Sequence, residues 1–138
     1  LFGGRESIFW PNPVLAGDQA AMREVAATLA DLGLGRQDQV LVLNRGLSIY
    51  GETGARPPSP YFHPTHLLAV FPTPSPDPLG VALAANARFV IVANPAIRHV
   101  TESPARYDRA FAYLAAHYRT AAVVTGADDS FTIYEFAG

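Results

Sequence analysis

Residues 39–44 (QVLVLN), 89–93 (FVIVA) and 121–125 (AAVVT) decide the fold class of this chain. Each is a short, largely apolar run without a charged residue, which is the pattern of a strand buried on both faces of a sheet. Buried strands of this kind belong mostly to parallel sheets, because helices must cover both faces. The sequence therefore predicts three central strands with helices between them.

The segments around these strands carry helix signals. Asp18 is a potential N-cap for a helix that runs to about Leu32. The apolar residues of this helix fall on one face, and Gly33 and Gly35 are expected to end it. The members of that face are Met22, Val25, Leu29 and Leu32. The prolines in residues 9–13 (FWPNP) disfavour a long helix before Asp18. We therefore predict an irregular lead-in over residues 1–17 and a single domain over residues 18–138.

Two further helices are predicted from an N-cap residue followed by proline at the first helical position. Asp77-Pro78 starts a helix of about ten residues, and Ser103-Pro104 starts a longer one. The apolar stripe of the longer helix consists of Tyr107, Phe111, Leu114 and Tyr118. A polar turn over residues 126–130 then leads into residues 131–136 (FTIYEF), which predicts a hairpin of the last two strands.

Strands that alternate with helices predict an α/β fold with right-handed crossovers. We expect a small three-layer, Rossmann-like sandwich with a mainly parallel sheet. The antiparallel C-terminal hairpin strand is expected at one edge of that sheet.

Composition excludes several classes of function. The net charge is −2, the ten basic residues are dispersed arginines, and there is no cysteine. Nucleic-acid binding is disfavoured because no basic patch is visible, and thiol catalysis and thiolate metal sites are impossible. The charged fraction of 16% is low for a soluble domain, which suggests that part of the surface is covered in the intact molecule. No apolar run approaches the length of a membrane span, and because the chain starts at Leu1 we expect a piece of a larger protein.

The loop after the first strand is the main candidate site, because ligands of open parallel sheets bind beyond the carboxyl ends of the strands. It contains Asn44, Arg45, Tyr50 and Glu52, and Asn94 follows the second strand. The alternative is a turn that only closes the fold. No glycine-rich phosphate loop is present, so no nucleotide or other cofactor is predicted.

Other chemistry-bearing residues have structural explanations. His63 and His66 lie three apart in a proline-rich loop without a third ligand at a diagnostic spacing, so no metal site is predicted. Asp128 and Asp129 suit a hairpin turn, and Asp108 suits the first turn of a helix. No serine nucleophile elbow is present, so no catalytic residue is predicted.

Three segments carry a family resemblance: residues 47–68 (LSIYGETGARPPSPYFHPTHLL), 82–95 (ALAANARFVIVANP) and 106–119 (RYDRAFAYLAAHYR). They resemble the carboxyl-terminal soluble region of polytopic bacterial glycosyltransferases of the dolichyl-phosphate-mannose protein mannosyltransferase and lipid A aminoarabinose transferase types. The similarity spans roughly residues 38–136. The matching positions are Tyr50, Thr53, Gly54, Arg56, Pro57, Pro58, Tyr61, Asn86, Phe89, Val90, Ile91, Tyr107, Asp108 and Tyr118.

The resemblance implies a membrane enzyme that moves a sugar from a polyprenyl-phosphate donor, with this domain on the periplasmic, extracytoplasmic side. The catalytic carboxylate of such enzymes lies in an early loop that this chain does not contain, so the domain is expected to be accessory. Its expected partners are the membrane-embedded part of the same polypeptide and a lipid-linked sugar or acceptor, met by Tyr50, Arg56 and Tyr61. The alternative is a free-standing small-ligand or protein-binding module that uses the crevice near Asn44, Arg45 and Glu52.

Overall fold

The computed structural model describes residues 13–59, 67–69, 77–96 and 102–138. These residues form four helices and four strands. The helices are α1 (Pro13–Asp31), α2 (Ile49–Thr53), α3 (Pro78–Ala84) and α4 (Pro104–His117), and the strands are β1 (Val40–Val42), β2 (Phe89–Asn94), β3 (Tyr118–Thr125) and β4 (Ser130–Phe136). The predicted α/β class is confirmed, and α2 is an element that the sequence pattern did not predict.

The four strands form one open mixed sheet in the order β1-β2-β4-β3. Of the three strand pairings in this part of the chain, β1 with β2 is parallel, whereas β2 with β4 and β4 with β3 are antiparallel. The expectation of a mainly parallel sheet with the antiparallel strand at its edge is therefore wrong. β3 runs in the same direction as β2, but β4 lies between them.

The burial of β3 and β4 agrees with their relative positions in the sheet, although β1 is also buried on both faces and lies at the other edge. In β4, Phe131 and Ile133 are buried on one face, and Tyr134 and Phe136 pack against the core on the other. A strand that is covered on both faces suits the middle of a sheet. In β3, by contrast, Val123 is 58% exposed. Its apolar run looks like that of a central strand, but composition does not distinguish a central strand from an edge strand.

Two apolar clusters lie on opposite faces of the sheet. Leu41 and Val90 point to the face covered by α3 and α4, which we call the α3–α4 face. Val40 and Ile91 point to the face covered by α1 and α2, the α1–α2 face. This alternation follows from the period of two in a strand. Each fully buried Val, Leu or Ile contributes about 1.5–3 kcal/mol relative to an exposed one, so both faces stabilise the sheet.

Helix α1 begins at Pro13, five residues before the predicted cap at Asp18, so residues 13–17 are helical rather than irregular. Proline is compatible with the first turn because its missing N–H has no partner there. The predicted end is confirmed: Gly33 has a φ of 90°, and the Leu34 N–H donates to Leu29 O at 3.0 Å. This left-handed glycine ending satisfies carbonyl groups of the last turn.

Helix α4 begins as predicted, with Pro104 in its first turn and the Ser103 side chain accepting a hydrogen bond from the Arg106 N–H at 3.2 Å. It ends at His117, and Tyr118 is the first residue of β3, so that strand starts three residues before the predicted Ala121. The Tyr118 ring still packs on the α3–α4 face. Helix α3 has seven residues instead of about ten.

Candidate functional site

The carboxyl ends of β1 and β2 meet at Asn44, which is 6% exposed. Its Nδ2 donates to Ala93 O at 2.9 Å and to Ala96 O at 3.3 Å. Its Oδ1 accepts from the Ala93 N–H at 2.8 Å and from the Arg45 N–H at 3.0 Å. An amide has two N–H donors and two carbonyl lone pairs, so these contacts use its full hydrogen-bonding capacity. Asn44 thus extends the β1–β2 ladder by one side chain.

Arg45 connects three segments at the same edge of the sheet. Its Nη1 donates to Ala96 O at 3.2 Å, and its Nη2 donates to Pro95 O. Its Nε lies 3.6 Å from Asp129 Oδ2 in the hairpin turn between β3 and β4. The guanidinium therefore joins the end of β1, the loop after β2 and the β3–β4 turn.

Tyr107 reaches this junction from α4. Its hydroxyl lies 2.9 Å from Ala96 O and also contacts the Glu102 carboxylate. Burial, reinforced by the hydrogen bond to Glu102, raises the pKa of Tyr107 well above its usual range. The phenol therefore keeps its proton at neutral pH and is unsuited to act as a base.

The carbonyl of Ala96 is the common acceptor of this junction. It lies within hydrogen-bond distance of Asn44 Nδ2, Arg45 Nη1 and the Tyr107 hydroxyl. Three side chains from two segments of the chain thus hold one peptide group of the loop after β2. We call this arrangement the Ala96 junction. Asn94 adds a neighbouring tie, because its Nδ2 donates to Thr132 Oγ1 at 3.0 Å.

Tyr50 lies at the outer edge of β1. Its hydroxyl donates to Val40 O at 2.7 Å and accepts from the Val42 N–H at 3.2 Å. These groups face away from β2, so the phenol takes the place of a neighbouring strand. Burial raises the pKa of Tyr50 to about 12. Arg56 covers the same edge through its backbone, since its carbonyl accepts from the Val40 N–H at 3.0 Å.

The other predicted site residues differ in their surroundings. The side chains of Glu52 and Arg56 are exposed. Tyr61 lies outside the described residues, as do His63 and His66. The structure thus brings Asn44 and Arg45 together and places Tyr50 and Arg56 around the edge of β1. Ligand binding by this set stays a prediction.

The sequence pattern does not show that Tyr107 contacts Ala96 O and Glu102, or that Asp129 lies beside Arg45. Asp129 fits a hairpin turn and Tyr107 fits the apolar stripe of α4, and neither pattern indicates these contacts. A sequence signal exists for Tyr107, since a tyrosine on a buried helix face needs a partner for its hydroxyl. The partner itself is 11 residues away in a loop, which spacing does not reveal.

A second polar cluster lies at the opposite end of the sheet, where the parallel strands β1 and β2 begin. Arg88 Nη1 donates to Gly33 O and to Asp38 Oδ2, each at 2.7 Å. Its Nη2 donates to Leu32 O at 3.0 Å and lies 3.5 Å from Glu135 Oε2. Arg88 therefore binds the carbonyl groups at the end of α1 to the beginning of β2.

Hydrogen bonds from the Gly35 N–H and from Arg88 hold the pKa of Asp38 below its usual value.

Two surface hollows lie near this amino-terminal end of the sheet. One of about 460 Å³ is lined by Leu34, Gly35, Arg36, Thr53, Gly54 and Ala55. The other, of about 400 Å³, is lined by Gln37, Asp38, Gln39, Asn86, Arg88, Glu135 and Phe136.

Within the described residues, no group of three or more His, Asp or Glu side chains is arranged to hold a metal ion. The helices of this same part of the chain include none that is both long and apolar enough to cross a membrane. No protein-family model, curated protein sequence or solved structure matches this chain.

Proposed function

We propose that this chain is an accessory extracytoplasmic domain of a membrane glycosyltransferase that uses a polyprenyl-phosphate-linked sugar donor. The proposal takes the class of parent enzyme from the resemblance of residues 47–68, 82–95 and 106–119. In it the domain is a small three-layer, Rossmann-like unit. Its role is to dock over the membrane-embedded part of the same polypeptide, not to carry out transfer itself.

The Ala96 junction is the observation that carries the accessory role. Ligands of open α/β sheets enter at the carboxyl ends of the strands, where polar side chains must be available to meet them. Here the four hydrogen-bonding positions of Asn44 are used by backbone groups, and Arg45 binds two loop carbonyls. Because these side chains bond to the protein's own backbone, we infer that they stabilise the fold.

The segment from α2 to Arg56 is the docking region that we favour. The Tyr50 hydroxyl binds the edge of β1, which fixes α2 and the turn after it against the sheet. Gly54, with a φ of 70°, ends α2 and directs the chain back to pair Arg56 with Gln39. Glu52 and Arg56 are exposed on this segment and are the side chains that we expect to meet a partner.

Sugar transfer by the full-length parent enzyme tests the proposal. Deletion of residues 18–138 should reduce transfer from the polyprenyl-phosphate donor to the acceptor, with the membrane part still inserted and folded. The point variant Arg56→Ala should lower transfer several-fold without changing the unfolding temperature. Arg23→Ala, which removes an exposed arginine of α1, is the matched control. Unchanged transfer to every acceptor after the deletion would overturn the proposal.

The hollow of about 460 Å³ favours a second candidate, a free-standing binding module. Its lining combines apolar Leu34 and Ala55 with Arg36 and the backbone of Gly35 and Gly54, a composition suited to a small polar ligand. The reading frame upstream of the chain separates the two candidates. Several apolar spans of about 20 residues support the membrane enzyme, whereas a soluble upstream region supports the module.

A further inference from the structure

Strand β3 forms one edge of the sheet and differs from the opposite edge. At the β1 edge, the outward Val40 and Val42 backbone groups bind the Tyr50 hydroxyl and the Arg56 carbonyl. At the β3 edge, no further strand pairs with Tyr118–Thr125 within the described residues. Exposed strand edges are templates for pairing with another chain unless charges, prolines or covering segments protect them.

The sequence of β3 offers little protection of that kind. Residues 120–125 (TAAVVT) contain no charge and no proline. A bulge between Thr120 and Ala122 interrupts the pairing with β4, but residues 122–125 are in regular register. Val123 lies in this regular part and, at 58%, is the more exposed of the two large apolar side chains on the described surface, the other being Val81 at 37%.

The backbone of Val123 points outward. The Gly126 N–H donates to Asp129 O across the hairpin, and hydrogen-bonded and non-hydrogen-bonded pairs alternate along an antiparallel ladder. Counting back from Gly126, Val124 and Ala122 bond to β4, whereas Val123 faces the open edge with its N–H and C=O. Its side chain lies on the α3–α4 face, opposite to that of buried Val124.

An antiparallel pair of identical edge strands is related by a twofold axis normal to the sheet, and a residue on that axis meets its own copy. When the axis passes between the two copies of Val123, the N–H of each copy donates to the C=O of the other. The two exposed valine side chains then cover each other. Antiparallel pairing brings the Arg119 end of each strand towards the turn that contains Asp128 of the other copy. Arg119 and Asp128 are both exposed and opposite in charge, and Arg119 also pairs with Glu135 of β4 at 2.7 Å, so the two ends of the strand are self-complementary in charge.

We propose that β3 is the interface of a homodimer, in which two copies pair antiparallel about Val123 to form a continuous eight-stranded sheet. The occupant is a second copy of this chain because the strand is complementary to itself in hydrogen bonds, apolar contact and charge. Pairing along one strand buries less surface than a standard permanent interface, so the dimer dissociates on dilution. This inference does not depend on the proposed glycosyltransferase role.

Sedimentation equilibrium of the 138-residue chain over a range of concentrations tests the proposal. The expected mass rises from 14.8 kDa towards twice that value with concentration, and high salt weakens the association. Slower exchange of the Val123 amide proton as the dimer forms is expected in the same samples. A mass of one chain at the highest soluble concentration would overturn the proposal.

Two variants test whether the dimer interface lies at Val123. Val123→Pro removes an outward N–H that bonds to no neighbouring strand among the described residues, and proline is tolerated at such edge positions. It should give a monomer with the wild-type far-UV circular dichroism spectrum. Val123→Lys puts a charge on the axis and should also give a monomer, and it decides the matter if the proline variant unfolds. Val81→Lys on α3 is the control and should dimerise like the wild type. Dimerisation of Val123→Lys with wild-type affinity would show that the interface lies elsewhere.

Discussion

The side chain of Asn44 and the backbone of Ala93 form a reciprocal pair: Nδ2 donates to Ala93 O at 2.9 Å, and Oδ1 accepts from the Ala93 N–H at 2.8 Å. A backbone peptide at the end of β1 would make the same kind of contact with its neighbour. The side-chain amide therefore satisfies buried backbone groups of β2 at the point where β1 turns away.

Tyr50→Phe should lower the free energy of unfolding by about 1–2 kcal/mol, because it leaves Val40 O and the Val42 N–H without the hydroxyl that binds them. Chemical denaturation at neutral pH measures the change. Tyr113→Phe is the matched control: its hydroxyl contacts the exposed Asn86 side chain, not backbone groups of the sheet, and a smaller effect is expected. Equal losses in the two variants would contradict the assignment of Tyr50 to the strand edge.

Alkaline pH tests the same contact in the wild type. The pKa of Tyr50 is raised from 10.0 to about 12 in the folded protein, so the folded state holds the proton more tightly than the unfolded state. The stabilisation is complete below pH 10 and is lost as the pH rises towards 12. The stability of Tyr50→Phe should therefore fall less steeply in this interval. Parallel curves for the two proteins would argue against the raised pKa.

Arg88→Lys should destabilise the amino-terminal edge of the sheet by about 1 kcal/mol, because an ammonium cannot reproduce the forked contacts to Leu32 O, Gly33 O and Asp38. Arg23→Lys, on the exposed surface of α1, is the control and should have little effect.

The lowered pKa of Asp38 makes the stability of the folded protein depend on pH in the acid range. Its stabilisation is present above the ordinary value of 3.8 and is lost as the pH falls below it. Asp38→Asn should flatten this acid loss, which acid titration of unfolding would detect.

Gly46→Ala should destabilise the turn after β1 by about 1–3 kcal/mol. Gly46 has a φ of 107°, and an added Cβ would lie 3.0 Å from Met22 Sδ in the core. Gly51→Ala is the matched control, since Gly51 lies within α2 and its Cβ would meet no atom within 4 Å. In that helix alanine should be neutral or stabilising. The difference between the two unfolding midpoints checks the prediction, and similar midpoints would contradict it.

The sequence predicted elements better than it predicted their arrangement. Ser103-Pro104 marked the start of α4, and Gly33 marked the end of α1, because cap chemistry depends on local residues. The order of the strands depends on long-range packing, since β1 is buried on both faces and still lies at an edge of the sheet. FTIYEF in β4 reads as an alternating edge strand, yet its Tyr134 and Phe136 also pack on the α3–α4 face. That packing is a tertiary effect, and it places β4 inside the sheet.

For the candidate site too, the sequence predicted where the polar residues lie but not what they contact. Residue type and position correctly brought Asn44 and Arg45 to the carboxyl edge of β1. Their partners are main-chain atoms of Ala93, Pro95 and Ala96, about 50 residues later in the chain. A backbone carbonyl carries no sequence signature, so whether a polar residue faces a ligand or the chain itself becomes visible in the fold.

The free energy of unfolding of Asn44→Ala tests most directly whether the carboxyl edge is a structural junction. Ala93 is fully buried, and each buried backbone group left without a partner costs about 1–3 kcal/mol. We expect a loss of about 3 kcal/mol, against a change within about 0.5 kcal/mol for the exposed Glu52→Ala. A loss for Asn44→Ala no larger than that of Glu52→Ala would contradict the account and return Asn44 to the role of a ligand-binding side chain.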